Sequence, residues 1–151
     1  VEIAPYDVEG HFNLGNTLKD LGRLAEAELS YLQAIALKPD FAEAHNNLGI
    51  ALKEMDRLDE AEACYMQAIA LKYDFDQAHN NLGVILKDLG RLDKAEASLL
   101  QAIALNPDLT DAHSNLGNIL LTKGRHQEGL YEIYLGDGCI SFDLKNGLAI
   151  I

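Results

Sequence analysis

The chain has 151 residues, with 12 Lys and Arg against 24 Asp and Glu, so its formal net charge is −12. That balance argues against nucleic acid or anionic lipid as the main partner and favours a basic or amine-bearing one. Cys64 and Cys139 stand in unrelated surroundings without metal-ligand spacing, so no disulfide framework is expected and the reducing cytoplasm is the expected compartment. No apolar run approaches the roughly 18 residues of a membrane span.

Val1 to Asp7 lacks the basic and apolar pattern of a signal peptide. It carries Pro5 six residues before His11, and the same spacing separates Pro39 from His45 and Pro107 from His113. Residues 1–7 therefore read as the end of a preceding unit, and the missing initiator Met suggests an excised fragment. Beyond this, Ala44-His45-Asn46-Asn47-Leu48-Gly49 returns 34 residues later as Ala78-His79-Asn80-Asn81-Leu82-Gly83. His11-Phe12-Asn13-Leu14-Gly15 and His113-Ser114-Asn115-Leu116-Gly117 complete four copies. A fixed period of this length marks a repeat array, in which each unit buries its apolar face only against its neighbours.

Within each unit, apolar residues recur at steps of three and four in two blocks, as in Ala44, Leu48, Ala51, Leu52, Met55 and then Leu58, Ala61, Tyr65, Ala68, Ile69. The spacing predicts helices over 8–21 and 24–37, 42–55 and 58–71, 76–89 and 92–105, and 110–123 and 126–135. Gly22, Gly90 and Gly124 provide the left-handed residue that ends the first helix of a unit, and Asp56 takes that place once. Pro39 and Pro107 stop the second helix, whereas Tyr73 at the equivalent place predicts a less sharply broken junction.

This pattern resembles the tetratricopeptide repeat over residues 8–135. Places are counted here from Val8, Ala42, Asp76 and Thr110. The small residue at the eighth place is Gly15, Gly49, Gly83 and Gly117, and that at the twentieth is Ala27, Ala61, Ala95 and Gly129. The bulky residue at the twenty-fourth is Tyr31, Tyr65, Leu99 and Ile133, and the small one at the twenty-seventh is Ala34, Ala68 and Ala102. The resemblance implies an all-α fold, a right-handed superhelical solenoid of helical hairpins. Its units are 8–41, 42–75, 76–109 and a partial fourth, 110–135, followed by a divergent tail, 136–151.

In that tail Cys139 to Leu144 alternates with period two, and Asn146-Gly147 is a strong two-residue turn signal. The expected β-hairpin places Ile140, Phe142, Leu144, Ala149 and Ile151 on one face. An isolated hairpin is marginal in water, so three roles stand open: capping the array, pairing its edge with another copy to form a homo-oligomer, or opening a further domain.

The recurring polar residues are the functional candidates. Asn13, Asn47, Asn81 and Asn115 hold the sixth place of every unit, on one helical face with the second, ninth and thirteenth places. The resemblance implies that this face lines a concave groove binding an extended peptide or partner segment, and the Asn series is similar to the asparagine ladder of protein O-GlcNAc transferase. A side-chain amide both donates and accepts, so a row of them can bond a ligand backbone whatever its side chains. Asn16 lies on the same face in the first unit, Glu9, Glu43, Gln77 and Asp111 stand at the second place, and Lys53 and Lys87, with Lys19, at the twelfth. Asp20, Glu54 and Asp88 at the thirteenth add negative charge, which favours a ligand with basic side chains. The alternative for the Asn row is a structural bond to backbone.

The four histidines stand one unit apart, too far to share a metal ion at bonds of roughly 2 Å. Packing with a ring nitrogen bonded to a neighbour is the expectation, with no metal and no cofactor. Chaperone-binding relatives grip a terminal carboxylate with basic residues at the fifth, second and sixth places, where this chain has Asn46, Asn80, Gln77 and Asn81. The expected function is a non-enzymatic interaction scaffold. The alternatives are the substrate-recruiting segment of a larger glycosyltransferase or methyltransferase, and a self-assembling module.

Overall fold

The computed structural model describes residues 7–124 throughout and, beyond them, the backbone of 131–135, 138–143 and 148–150. Seven helices make up the first part: α1 (Val8–Asp20), α2 (Leu24–Leu37), α3 (Ala42–Glu54), α4 (Leu58–Leu71), α5 (Asp76–Asp88), α6 (Leu92–Leu105) and α7 (Thr110–Thr122). This body is all-α. The helices pair as α1–α2, α3–α4 and α5–α6, and α2 packs on α3, α4 on α5 and α6 on α7.

Local capping does little to start these helices. Only Asp7 caps with its side chain, accepting from the Gly10 amide at 2.9 Å, whereas the residues before α3, α5 and α7 are Phe41, Phe75 and Leu109. Packing does more. Ala27, Ala61 and Ala95 are fully buried, as are Ala34, Ala68 and Ala102, and small residues there let helix axes approach. A Cβ built on Gly15 would lie 2.6 Å from the Tyr31 ring, one on Gly49 2.7 Å from Tyr65, and one on Gly83 2.6 Å from Leu99. Each hairpin is therefore a notch filled by one bulky side chain of its second helix.

The turns inside the hairpins repeat one geometry. Gly22, Gly90 and Gly124 have φ of 72°, 74° and 70°, and Asp56 takes φ of 60° despite its Cβ. Asp is one of the few residues that visit this region at modest cost.

The junction after α4 differs from expectation. Tyr73 does not blur it: Lys72 has φ −141° and ψ 91°, within a degree of Asn106 at the equivalent junction, and α4 ends at Leu71. The reason is a side chain in the following helix. His79 Nε2 lies 3.1 Å from the Tyr73 carbonyl oxygen, as His45 Nε2 does from that of Pro39, and His113 Nε2 is 2.8 Å from that of Pro107. The ring N–H donates to a carbonyl of the loop itself, so the loop is held whether or not proline stands there.

After α7 the repeat pattern does not continue as expected. The helix predicted over 126–135 is not formed at Tyr131–Leu135, which is extended as β1; β2 (Gly138–Asp143) and β3 (Leu148–Ile150) follow, antiparallel in the order β1-β2-β3. Tyr131, Ile133 and Tyr134 favour strand, and Gly136 stands where the other units have a buried alanine. The register also departs from a two-residue turn at Asn146-Gly147: Asp143 pairs with Leu148 and Phe142 with Ala149, so residues 144–147 separate the strands. Leu144 and Ile151 of the expected apolar face, and the first residues of the predicted last helix, lie outside the described residues.

Candidate functional site

Four helices carry the sixth-place asparagines, and the stacking brings them together. α1 touches α3, α3 touches α5 and α5 touches α7, whereas no comparable contact joins α2 to α4 or α4 to α6. A stack whose first helices lie closer together than its second helices curves with the first helices on the inner side. The Asn row runs along that inner side.

The structure gives three of these amides, those of Asn47, Asn81 and Asn115, partners that neither sequence alternative anticipated. Asn81 Nδ2 donates to Asn46 Oδ1 at 3.0 Å, and Asn115 Nδ2 to Asn80 Oδ1 at 3.0 Å. Each bond joins the sixth place of one unit to the fifth place of the unit before. In the first unit the fifth place is Phe12, which cannot accept, and Asn47 Nδ2 instead donates to Asn16 Oδ1 at 2.8 Å. The Tyr31 hydroxyl donates to the same oxygen at 2.8 Å, and Asn46 Nδ2 donates to Asn47 Oδ1 at 3.2 Å. Burial first, then the nearby Asp20 carboxylate, pushes the Tyr31 phenol up to about 12, which keeps its proton in place for this bond.

The fifth-place asparagines are thus the residues that sequence reasoning missed. Asn46 is only 3% exposed and uses both its oxygen and its nitrogen within the row. The doubled Asn in His45-Asn46-Asn47 and His79-Asn80-Asn81 was the available signal.

Of the other candidates, Asn13, Glu9, Gln77 and Asp111 are exposed. Glu43 is drawn aside: Lys72 Nζ lies 3.1 Å from its Oε1, which ties the start of α3 to the end of α4. Lys53 is exposed, and Lys87 lies 3.6 Å from Asp88, a neighbour rather than a ligand group. Lys19 pairs with Asp20 at 3.0 Å. Among the described residues no cluster of three or more His, Cys, Asp or Glu side chains is placed to hold a metal ion, and no helix is long and apolar enough to cross a membrane.

A second row, on the second helices, was not anticipated at all. Arg57 Nη1 donates to Glu28 Oε2 at 2.7 Å, and Arg91 Nη1 to Glu62 at 2.7 Å. In the fourth unit Lys123, two places earlier in its turn than Arg57 and Arg91 are in theirs, reaches Glu96 at 2.6 Å. Each pair joins the turn of one unit to the second helix of the unit before, and Arg57 also holds Glu60.

Against this geometry, the TPR repeat family pattern matches residues 15–56 and 85–124, and the tetratricopeptide repeat pattern matches residues 42–72. The chain belongs to the tetratricopeptide repeat (TPR) family. No curated protein matches it in sequence. Among solved structures, that of MamA is 30% identical with a TM-score of 0.78, over 82% of this chain and 72% of that one. The first TPR of Spaghetti (RPAP3), bound to the HSP90 peptide SRMEEVD, is 19% identical with a TM-score of 0.77, over 82% of this chain and 98% of that one. YrrB, described as a TPR protein with an unusual peptide-binding site, is 24% identical with a TM-score of 0.72, and the match spans 82% of this chain and 63% of that one. At such identities these last two share the TPR fold with this chain.

Proposed function

We propose that this chain is a non-catalytic protein-interaction module that binds an extended polypeptide with basic side chains along the inner face formed by its first helices. The observation that carries this reading is the pair of half-buried asparagine amides Asn81 on α5 and Asn115 on α7, each held in place by a bond to the unit before. Each amide has two N–H donors and two acceptor lone pairs, so a row member that spends one donor on its neighbour keeps capacity for a ligand backbone. Side chains held by such bonds lose little further freedom on binding.

The TPRs of RPAP3 and YrrB support polypeptide binding on this fold, and the similarity of the row to the asparagine ladder of protein O-GlcNAc transferase supports backbone recognition by amides. Charge selects the partner's side chains. Exposed Glu9, Glu54, Asp88 and Asp111 on the first helices, with a net charge of −12, favour Lys and Arg and disfavour acidic segments. The units are read as 8–41, 42–75 and 76–109 with a partial fourth, wound as a right-handed superhelix.

Anisotropy of labelled 12-residue peptides tests this directly. An alternating Lys/Ala peptide is expected to bind, with affinity that falls as salt rises, and an alternating Glu/Ala peptide is expected not to. Equal binding of the two, or binding of neither, overturns the proposal.

A further inference from the structure

The amides of the row are not equivalent, and the difference follows from which residues stand beside them. Asn47 is bonded on both sides, donating through Nδ2 to Asn16 and accepting at Oδ1 from Asn46. Asn16 Oδ1 receives the Tyr31 hydroxyl as well, which fills both of its lone pairs. The ninth place holds Ile50 and Val84 in the next two units, and the twenty-fourth place of the third is Leu99, so this phenol-and-amide anchor is confined to the first unit.

Asn81 and Asn115 each donate one Nδ2–H to the unit before, but nothing among the described residues donates to their Oδ1 atoms. Asn80, unlike Asn46, makes no bond to the asparagine that follows it. Because the amide group is planar, fixing its nitrogen toward the preceding unit fixes its oxygen on the other branch.

We infer that the row is divided by function: Asn47 joins the first two units, whereas Asn81 and Asn115 present their carbonyl oxygens to backbone N–H groups of the bound polypeptide. The ligand's register is then set by the third and fourth units. This rests on the polypeptide-binding reading above and states which of its amides do the binding.

The experiment uses the full chain, the Lys/Ala peptide and the same peptide N-methylated at alternate backbone nitrogens, which removes donors without changing charge. Wild type is expected to bind the methylated peptide about tenfold more weakly, the loss of roughly two hydrogen bonds. Asn81→Ala with Asn115→Ala should bind the parent peptide about tenfold more weakly and no longer distinguish the two peptides. Asn47→Ala should bind the parent peptide within about twofold and keep the discrimination, while melting several degrees lower. Circular dichroism at the assay temperature confirms that each variant is folded.

Equal affinity of wild type for both peptides overturns the inference without any mutation. So does loss of discrimination in Asn47→Ala to the same extent as in the double variant. If wild type binds neither peptide, polypeptide binding itself fails and the division of the row fails with it, an outcome distinct from the other two.

Discussion

Two rows of polar contacts join successive units, one of amides on the first helices and one of charged pairs on the second, and they hold the stack by different physics. The amide row is short-ranged and partly buried: Asn46 is enclosed, and its bonds run between neutral groups at 3.0 and 3.2 Å. The charged row is more open. Glu28 and Glu62 are 19% and 16% exposed, but their partners Arg57 and Arg91 are 37% and 44% exposed. Neutral bonds shielded from water are insensitive to salt, whereas exposed ion pairs are screened. The inner row therefore fixes geometry, and the outer row tunes stability to conditions.

Both rows depend on the hairpins beneath them, and the largest effect should come from breaking one. Gly49→Val places a branched side chain where a Cβ alone would meet the Tyr65 ring at 2.7 Å, and should cost about 3 kcal/mol in thermal or urea unfolding. At the equivalent Gly117 no described atom outside its own stretch of α7 lies within 4 Å of the would-be Cβ, and Gly117→Ala is expected to stabilise by about 0.5–1 kcal/mol. If both variants melt with wild type, the notch is not what holds the hairpins.

Next in size is Asn46→Ala. It removes the acceptor of Asn81 and the donor to Asn47, and should cost about 1–3 kcal/mol, unchanged between low salt and 1 M NaCl. A loss that shrinks with salt would mean that the amide row acts through charge rather than through hydrogen bonding.

The smallest effect belongs to the outer row. Arg57→Gln should lower stability slightly at low salt and not at all in 1 M NaCl. The hydrogen bond from Arg57 holds the Glu60 carboxyl below the usual 4.5, as that from Arg23 holds Glu26. Groups whose folded pKa is depressed stabilise above their unfolded value and lose that contribution as pH falls. The wild-type melting temperature should thus decline below about pH 4.5, and the part of this decline due to Glu60 should be missing from Arg57→Gln. Identical acid profiles for the two proteins would remove Arg57 from the account.

Most of the helical body could be read from the chain. Gly15, Gly49 and Gly83 opposite Tyr31, Tyr65 and Leu99 specify the hairpins, because only a residue without a side chain admits so close a ring or Leu branch. The seven helix positions follow from the spacing to within a residue at their ends. The tail was harder. Residues 126–135 carry enough of the helical pattern to suggest an eighth helix, yet strand-favouring residues and Gly136 leave the choice to context, and 131–135 is extended.

Of the candidate site, the series Asn13, Asn47, Asn81 and Asn115 was legible in the chain, because a 34-residue period fixes which places share a face. So was the negative charge around them. Their partners come from packing: Asn81 meets Asn46, and Asn47 meets Asn16, because stacking sets the fifth or ninth place of one unit against the sixth place of the next. Periodicity assigns residues to faces. The offset between neighbouring helices, which decides whether two faces exchange hydrogen bonds, is a property of packing and is written in no single repeat.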